Sequence, residues 1–227
     1  MFVIPEGLPL ELTPLAFLVG HWRGTGVINY QNDAATSNGD SANGDSAKGN
    51  SANGNSGDGQ ESKLVNLEFS QDVEFWHDGQ NYLNYRSSVR SLIGKTEIPL
   101  PNEVGYWRIS KPAEDADAGP GLLPGSGQRA IASHEQLDEF RNAEGGFDLE
   151  VSILHPSGIS ELYFGQILKG RIDLATDAVL RSPNSKPYAA ATRLYGLVDG
   201  ALLWAWDIAA LGNPLRSHAS ARLERIE

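Results

Sequence analysis

Apolar and polar residues alternate with a period of two along much of the chain, most clearly in "FDLEVSIL". Phe147, Leu149, Val151 and Ile153 alternate there with Asp148, Glu150 and Ser152, as on a strand with one face on a core and one in water. The segments Glu161–Leu168, Arg171–Leu180, Ala191–Val198 and Ala201–Ala210 continue the pattern, separated by the short breaks "KG", "SPNSKP" and "DG". Asp199-Gly200 in "LVDGAL" is the dipeptide of a two-residue hairpin turn, since both turn positions take positive φ to match strand twist. Earlier strands are expected at Trp22–Tyr30, Leu64–Trp76, Tyr82–Leu92 and Val104–Ile109, and a last one at Ala219–Ile226.

About ten strands joined mainly by hairpins, with no crossover helices, predict a mostly β fold: an antiparallel up-and-down β-barrel of the lipocalin or fatty-acid-binding-protein shape. Closure removes exposed strand edges and leaves interior space for a ligand. A β-sandwich is the structural alternative. The one helical segment, "LPLELTPLAFLVG" (8–20), reads as a short turn plugging one barrel end.

Two stretches interrupt the pattern. Residues 33–60 form a degenerate Ser-Ala-Asn-Gly-Asp repeat without a large apolar side chain, which cannot bury enough surface to offset its ordering entropy. Residues 111–128, "KPAEDADAGPGLLPGSGQ", read as a second flexible loop. The chain of 227 residues, 40% hydrophobic, suits one domain over 1–227 carrying both insertions.

Composition then narrows the chemistry. There is no cysteine, which removes disulfides, thiolate metal sites, iron–sulfur clusters and cysteine nucleophiles. A net charge of −11 opposes nucleic acid and anionic membrane surfaces as partners. The N-terminus lacks a basic segment followed by an apolar run. The longest apolar stretch, "ALLWAWDIAAL", contains Asp207 and is shorter than the ~20 residues of a membrane span; the expectation is a cytoplasmic protein. Neither a Ser-His-Asp arrangement nor a histidine pair at helical spacing is evident.

Three motifs carry the remaining chemistry. "GHWRGTG" (20–26) opens the first strand with glycines that permit close backbone approach, while Trp22 plugs the barrel bottom. "ILHPSGI" places His155 at a strand end before Pro156. "NPLRSH" leads from a turn to His218, whose strand parity groups it with Ser220, Arg222 and Glu224 and so faces it to water, unless a bulge turns the ring inward. Trp204, Trp206 and Ile208 share the opposite kind of face, either lining a cavity or filling a core.

Seven segments in order, "PLAFLVGHWRGTG", "FWHDGQNYLNY", "EVGYWR", "LHPSGISELYFG", "DAVLRSPNSK", "RLYGLVDGALLWAWDIAALGNPL" and "HASARLER", resemble the nitrobindin family of small haem-binding barrels. The resemblance implies a ferric haem b whose iron is ligated by His218, an open position for peroxynitrite to be isomerised to nitrate, and nitric oxide as a second ligand. It also implies a distal hydrogen-bond or sixth-ligand role for His155, with a polar strand-end histidine as the alternative. Ile208 would touch the porphyrin. Lys186 would face the haem propionates, with an ordinary solvated lysine as its alternative. The family's "YPTI" segment is missing, because Tyr30 runs directly into the inserted repeat. Three readings remain: a haem isomerase, possible as a homodimer; a nitric oxide carrier or sensor without turnover; and a haem-free barrel whose Arg193 or Arg222 takes a fatty-acid carboxylate.

Overall fold

The computed structural model describes residues 5–32, 63–93, 96–100, 102–111, 121 and 131–226. The repeat at 33–60 and most of 111–128 lie outside the described residues. The strands are β1 (Gly20–Asn32), β2 (Lys63–Trp76), β3 (Leu83–Ile93), β4 (Thr96–Pro99), β5 (Glu103–Ile109), β6 (Phe147–His155), β7 (Ile159–Leu168), β8 (Arg171–Arg181), β9 (Tyr188–Val198), β10 (Ala201–Ala210) and β11 (Arg216–Arg225).

Apart from the short β4, neighbours in sequence are neighbours in the sheet, with β3 pairing β5; β1 pairs with β11, so ten strands close into an antiparallel barrel. The short β4 pairs only with β3 outside that ring. Closure excludes the sandwich, and the ten expected strands are the ten of the ring. The Asp199-Gly200 turn has φ of 51° and 82°, the double positive sign expected of that dipeptide. A five-residue helix, α1 (His134–Asp138), is an element the periodicity did not reveal; Ser133 caps it by accepting from the Gln136 amide.

One end of the barrel is sealed. Residues Leu10–Leu18 form a 3-10 helix whose Leu12, Leu15, Ala16 and Leu18 are fully buried. Trp22 donates its indole N–H to the Leu18 carbonyl at 2.7 Å, and the Arg225 guanidinium lies 4.2 Å from the Trp22 ring centroid. The same guanidinium donates to the carbonyls of Phe17 and Val19, tying the plug to the last strand. A Cβ at Gly24 would collide with the Arg222 carbonyl, and one at Gly26 with the Phe69 ring; the glycines let β1 lie close to β11.

Above the plug the interior is filled by Phe75, Tyr85, Trp107 and Tyr195, whose rings meet at centroid distances of 5.0 to 5.9 Å. The interior is thus solid at the plugged end. The ends of β6 and β10 and the starts of β9 and β11 bring His155, Ile208, Tyr188 and His218 to the opposite end.

Candidate functional site

His218 is the third residue of β11. On β10, Trp206 pairs with Ala219 and the next residue, Asp207, pairs with Ser217. His218 is therefore the extra residue of a β-bulge, which interrupts alternation and adds local twist. The outward placement that parity alone gives is overturned here. The imidazole packs edge-on against the inward indole of Trp206, with centroids 5.2 Å apart and planes at 76°.

Its Nδ1 lies 3.2 Å from the Asn29 carbonyl oxygen on β1. A carbonyl only accepts, so Nδ1 carries the hydrogen and Nε2 keeps its lone pair. Burial lowers the imidazole pKa; the Asn29 carbonyl opposes that shift, while the positive charges of Arg216, Arg193 and Lys186 reinforce it. The result is a neutral ring at neutral pH with one nitrogen oriented by a backbone acceptor, the form in which histidine binds iron.

Ile208 is half-buried on β10, packed against the core. Lys186 is exposed in the β8–β9 loop, its carbonyl accepting from Arg181 at 3.2 Å, and its ammonium is near enough to act on His218. His218, Ile208 and Lys186 thus come together at one end of the barrel.

His155 comes to the same indole but enters a different environment. Its ring stacks on Trp206 at 5.9 Å and 9°. Nε2 is 2.7 Å from a Glu161 oxygen and Nδ1 is 3.8 Å from a Glu103 oxygen. Arg193 grips Glu103 through two nitrogens at 2.8 and 3.0 Å and reaches Glu161 at 3.5 Å. Tyr163 and Tyr188 both donate to Oε1 of Glu161, and Tyr85 donates to Glu103.

This is a buried layer of paired charge. Desolvation pushes the Glu103 carboxyl up, yet the Arg193 guanidinium outweighs it and holds the group at about 2. Burial likewise opposes ionisation of Glu161, which the His155 hydrogen bond and Arg193 overcome. The tyrosines go the other way: burial and the adjacent carboxylates raise Tyr85, Tyr163 and Tyr188 well above the ordinary phenol range, so all three stay as donors.

Sequence reading passed over Glu103 and Glu161. A signal was present: Glu103 shares its phase with Gly105, Trp107 and Ile109, and Glu161 with Tyr163. Charged residues in the apolar phase of a strand mark inward positions, and a buried charge needs a partner. Arg193 carries the same mark, in phase with Ala191 and Tyr195 on β9, but nothing local says that these charges on different strands meet.

The remaining histidines stay apart. His21 pairs with Glu74 at 3.2 Å near the surface, His77 sits in the β2–β3 turn region, and His134 is exposed. No group of three or more His, Cys, Asp or Glu suited to a metal ion occurs among the described residues. A groove of about 960 Å³ is lined by residues of β1, β2, β9, β10 and β11 and of the turn between β7 and β8, and no histidine lines it.

The residues present fit a b-type haem: a neutral imidazole with Nδ1 fixed and Nε2 available, a half-buried aliphatic neighbour in Ile208, and cationic side chains for anionic propionates. A closed barrel plugged at one end and bearing such a histidine at the other defines a cofactor-binding barrel. The chain belongs to the THAP4-like, heme-binding β-barrel domain family, whose profile matches residues 11–225. It is 48% identical over 227 residues to a protein of Leifsonia xyli subsp. xyli named peroxynitrite isomerase, covering 100% of both chains. A protein of the same name from Clavibacter michiganensis subsp. michiganensis is 46% identical, again covering 100% of both. The crystal structure of Rv2717c from M. tuberculosis superposes with a TM-score of 0.62 at 22% identity, covering 97% of this chain and 99% of that one; it supports the barrel fold.

Proposed function

We propose that this protein is a haem-dependent peroxynitrite isomerase in which His218 ligates the iron of haem b. The observation that carries the reading is the imidazole of His218, bulged inward, neutral, and bonded through Nδ1 to the Asn29 carbonyl. Full-length relatives named for this activity support it. Ferric haem, when bound, supplies a Lewis-acidic iron with a position for the peroxynitrite anion.

The protein's own residues do the rest. Conversion of peroxynitrite to nitrate is a rearrangement with no net gain or loss of protons or electrons, so no general acid and base pair is required. His218 holds the cofactor in one orientation. Lys186 and Arg216 make the mouth locally positive in a chain of net charge −11, which draws in both propionates and an anionic substrate. Ile208 excludes water beside the cofactor. His155, expected as a distal hydrogen-bond donor or sixth ligand, has its ring nitrogens beside Glu161 and Glu103 and in this reading supports Trp206 from the buried ion layer.

Nitric oxide would occupy the same iron position. We place the protein in the cytoplasm as a single domain over 1–227; no helix among the described residues is long and apolar enough to cross a membrane. A homodimer is the assembly to be read by light scattering. The fatty-acid alternative loses its anchor: Arg193 is already paired with Glu103 and Glu161, and Arg222 is exposed and paired with Glu224.

The test is a haemin titration followed at the Soret band, run beside His218→Ala. Stoichiometric uptake with a histidine-ligated ferric spectrum, lost in the variant, is expected, followed by faster peroxynitrite decay at substoichiometric protein. Haem uptake without that acceleration would favour nitric oxide carriage. Equal uptake by the variant would overturn the assignment of His218.

A further inference from the structure

Trp206 stands between the His218 imidazole and the buried ion layer. Besides its edge-on contact with His218 and its stack with His155, it has the Arg193 guanidinium carbon 4.3 Å from its ring centroid and the Tyr188 ring at 6.4 Å. Its indole nitrogen is buried without a hydrogen-bond partner among the described residues. Ring packing and the cation alone therefore set the plane of the indole.

Two of those neighbours have little freedom of their own. Arg193 is held by two bonds to Glu103, with further contacts to Glu161, Tyr163 and Tyr195, and His155 lies between both carboxylates. A buried ion cluster is a poor source of stability compared with apolar packing of the same volume, but the two bonds from Arg193 to Glu103 hold the guanidinium in one place. Here an aromatic ring rests on it, and that ring touches the histidine proposed to hold iron.

We propose that the Glu103–Arg193–Glu161–His155 cluster, acting through Trp206, is a positioning device that fixes the orientation of the His218 ring. The cluster clamps the indole; the indole blocks rotation of the imidazole away from the Asn29 carbonyl; Nε2 is thereby kept aimed at one point. Trp206 is a positioning residue and forms no bond to cofactor or substrate. The inference rests on the haem reading for its purpose, whereas the ring geometry it predicts is measurable without haem.

The test uses the full chain before and after haem loading. Before loading, ¹⁵N shifts of the His218 ring report the tautomer: the wild type is expected to show the Nδ1–H form alone, Trp206→Leu an average of both forms, and Trp206→Phe a return toward the wild type. After loading, Trp206→Leu is expected to lower haemin affinity about 10–100-fold and to shift and broaden the ferrous iron–histidine stretching band, with Trp206→Phe again intermediate. If Trp206→Leu fails to fold by circular dichroism, Arg193→Lys, which keeps the charge but loses the bidentate grip, is read by the same two signals. An unchanged tautomer and stretching band in the folded variants would overturn the proposal. Failure of the wild type to take up haemin, with the tautomer effect intact, would instead overturn the haem reading.

Discussion

His218 Nδ1 lies 3.2 Å from the backbone carbonyl of Asn29, so the first strand of the barrel decides which nitrogen of a histidine on the last strand is free. The bond crosses the seam where β1 and β11 close the sheet. Closure of the fold and orientation of the His218 ring are thus one event.

The lowered pKa of His218 sets a pH dependence. A base with a depressed folded pKa is neutral in both states at high pH; below its ordinary value of about 6.5 the unfolded chain takes up the proton first. Stability of the haem-free protein is expected to decline as pH falls below that value, and haemin uptake to weaken with it, since a proton competes for Nε2. Denaturation midpoints and Soret titrations between pH 5 and 8 check this. The same slope in His218→Ala would assign it to another group.

Loss of Arg193 leaves Glu103 and Glu161 buried without their cation. Arg193→Met is expected to cost about 3–5 kcal/mol, seen as a fall in melting temperature of about 10 °C. The folded pKa values of both carboxylates are depressed, so their stabilisation is present above the ordinary carboxylate range and is lost as pH falls toward the value of about 2 held by Glu103. An Arg193→Met variant as stable as the wild type would show that the layer is not paired as described.

At the plugged end, stability and ligation separate. Leu15 is fully buried in the 3-10 helix, and Leu15→Ala is expected to cost about 2–5 kcal/mol by leaving a cavity. Haemin uptake per folded molecule should not change. Weakened uptake would mean that the two ends are coupled.

Lys186 is exposed, so its contribution is screened. Lys186→Glu is expected to weaken haemin binding by no more than about fivefold at low salt, with the difference fading at high salt. An effect independent of ionic strength would point to a direct, desolvated contact in place of a solvated charge at the mouth.

Strands were legible because alternation is local: "FDLEVSIL" states in eight residues which face is wet, and ten such runs joined by turns leave a barrel as the economical way to hide edges. Asp199-Gly200 was readable for the same reason, since backbone strain acts within a few residues; the glycines of "GHWRGTG" signalled a close approach without naming β11 and Phe69 as what approaches. The helix α1 was not, being one turn held by a single cap.

The site was legible only in part. His218 was proposed through a family resemblance, Ile208 from strand parity and its nearness to the "NPL" turn, and Lys186 from the charge that a propionate needs, while strand parity pointed His218 toward water. Glu103 and Glu161 showed a charge in the apolar phase, but nothing in either strand names Arg193 as the partner.

What the chain determines by itself is the set of strands, their wet and dry faces, the absence of thiol chemistry and the presence of a histidine after "NPLRS", all properties of neighbouring residues. What only the tertiary structure decided is the bulge that swings His218 inward, the Asn29 carbonyl that frees Nε2, and the ion layer beneath Trp206. These join residues from six positions apart, in His155 and Glu161, to 189 apart, in Asn29 and His218, and a burial or hydrogen-bonding energy between different strands exists only once the barrel has closed.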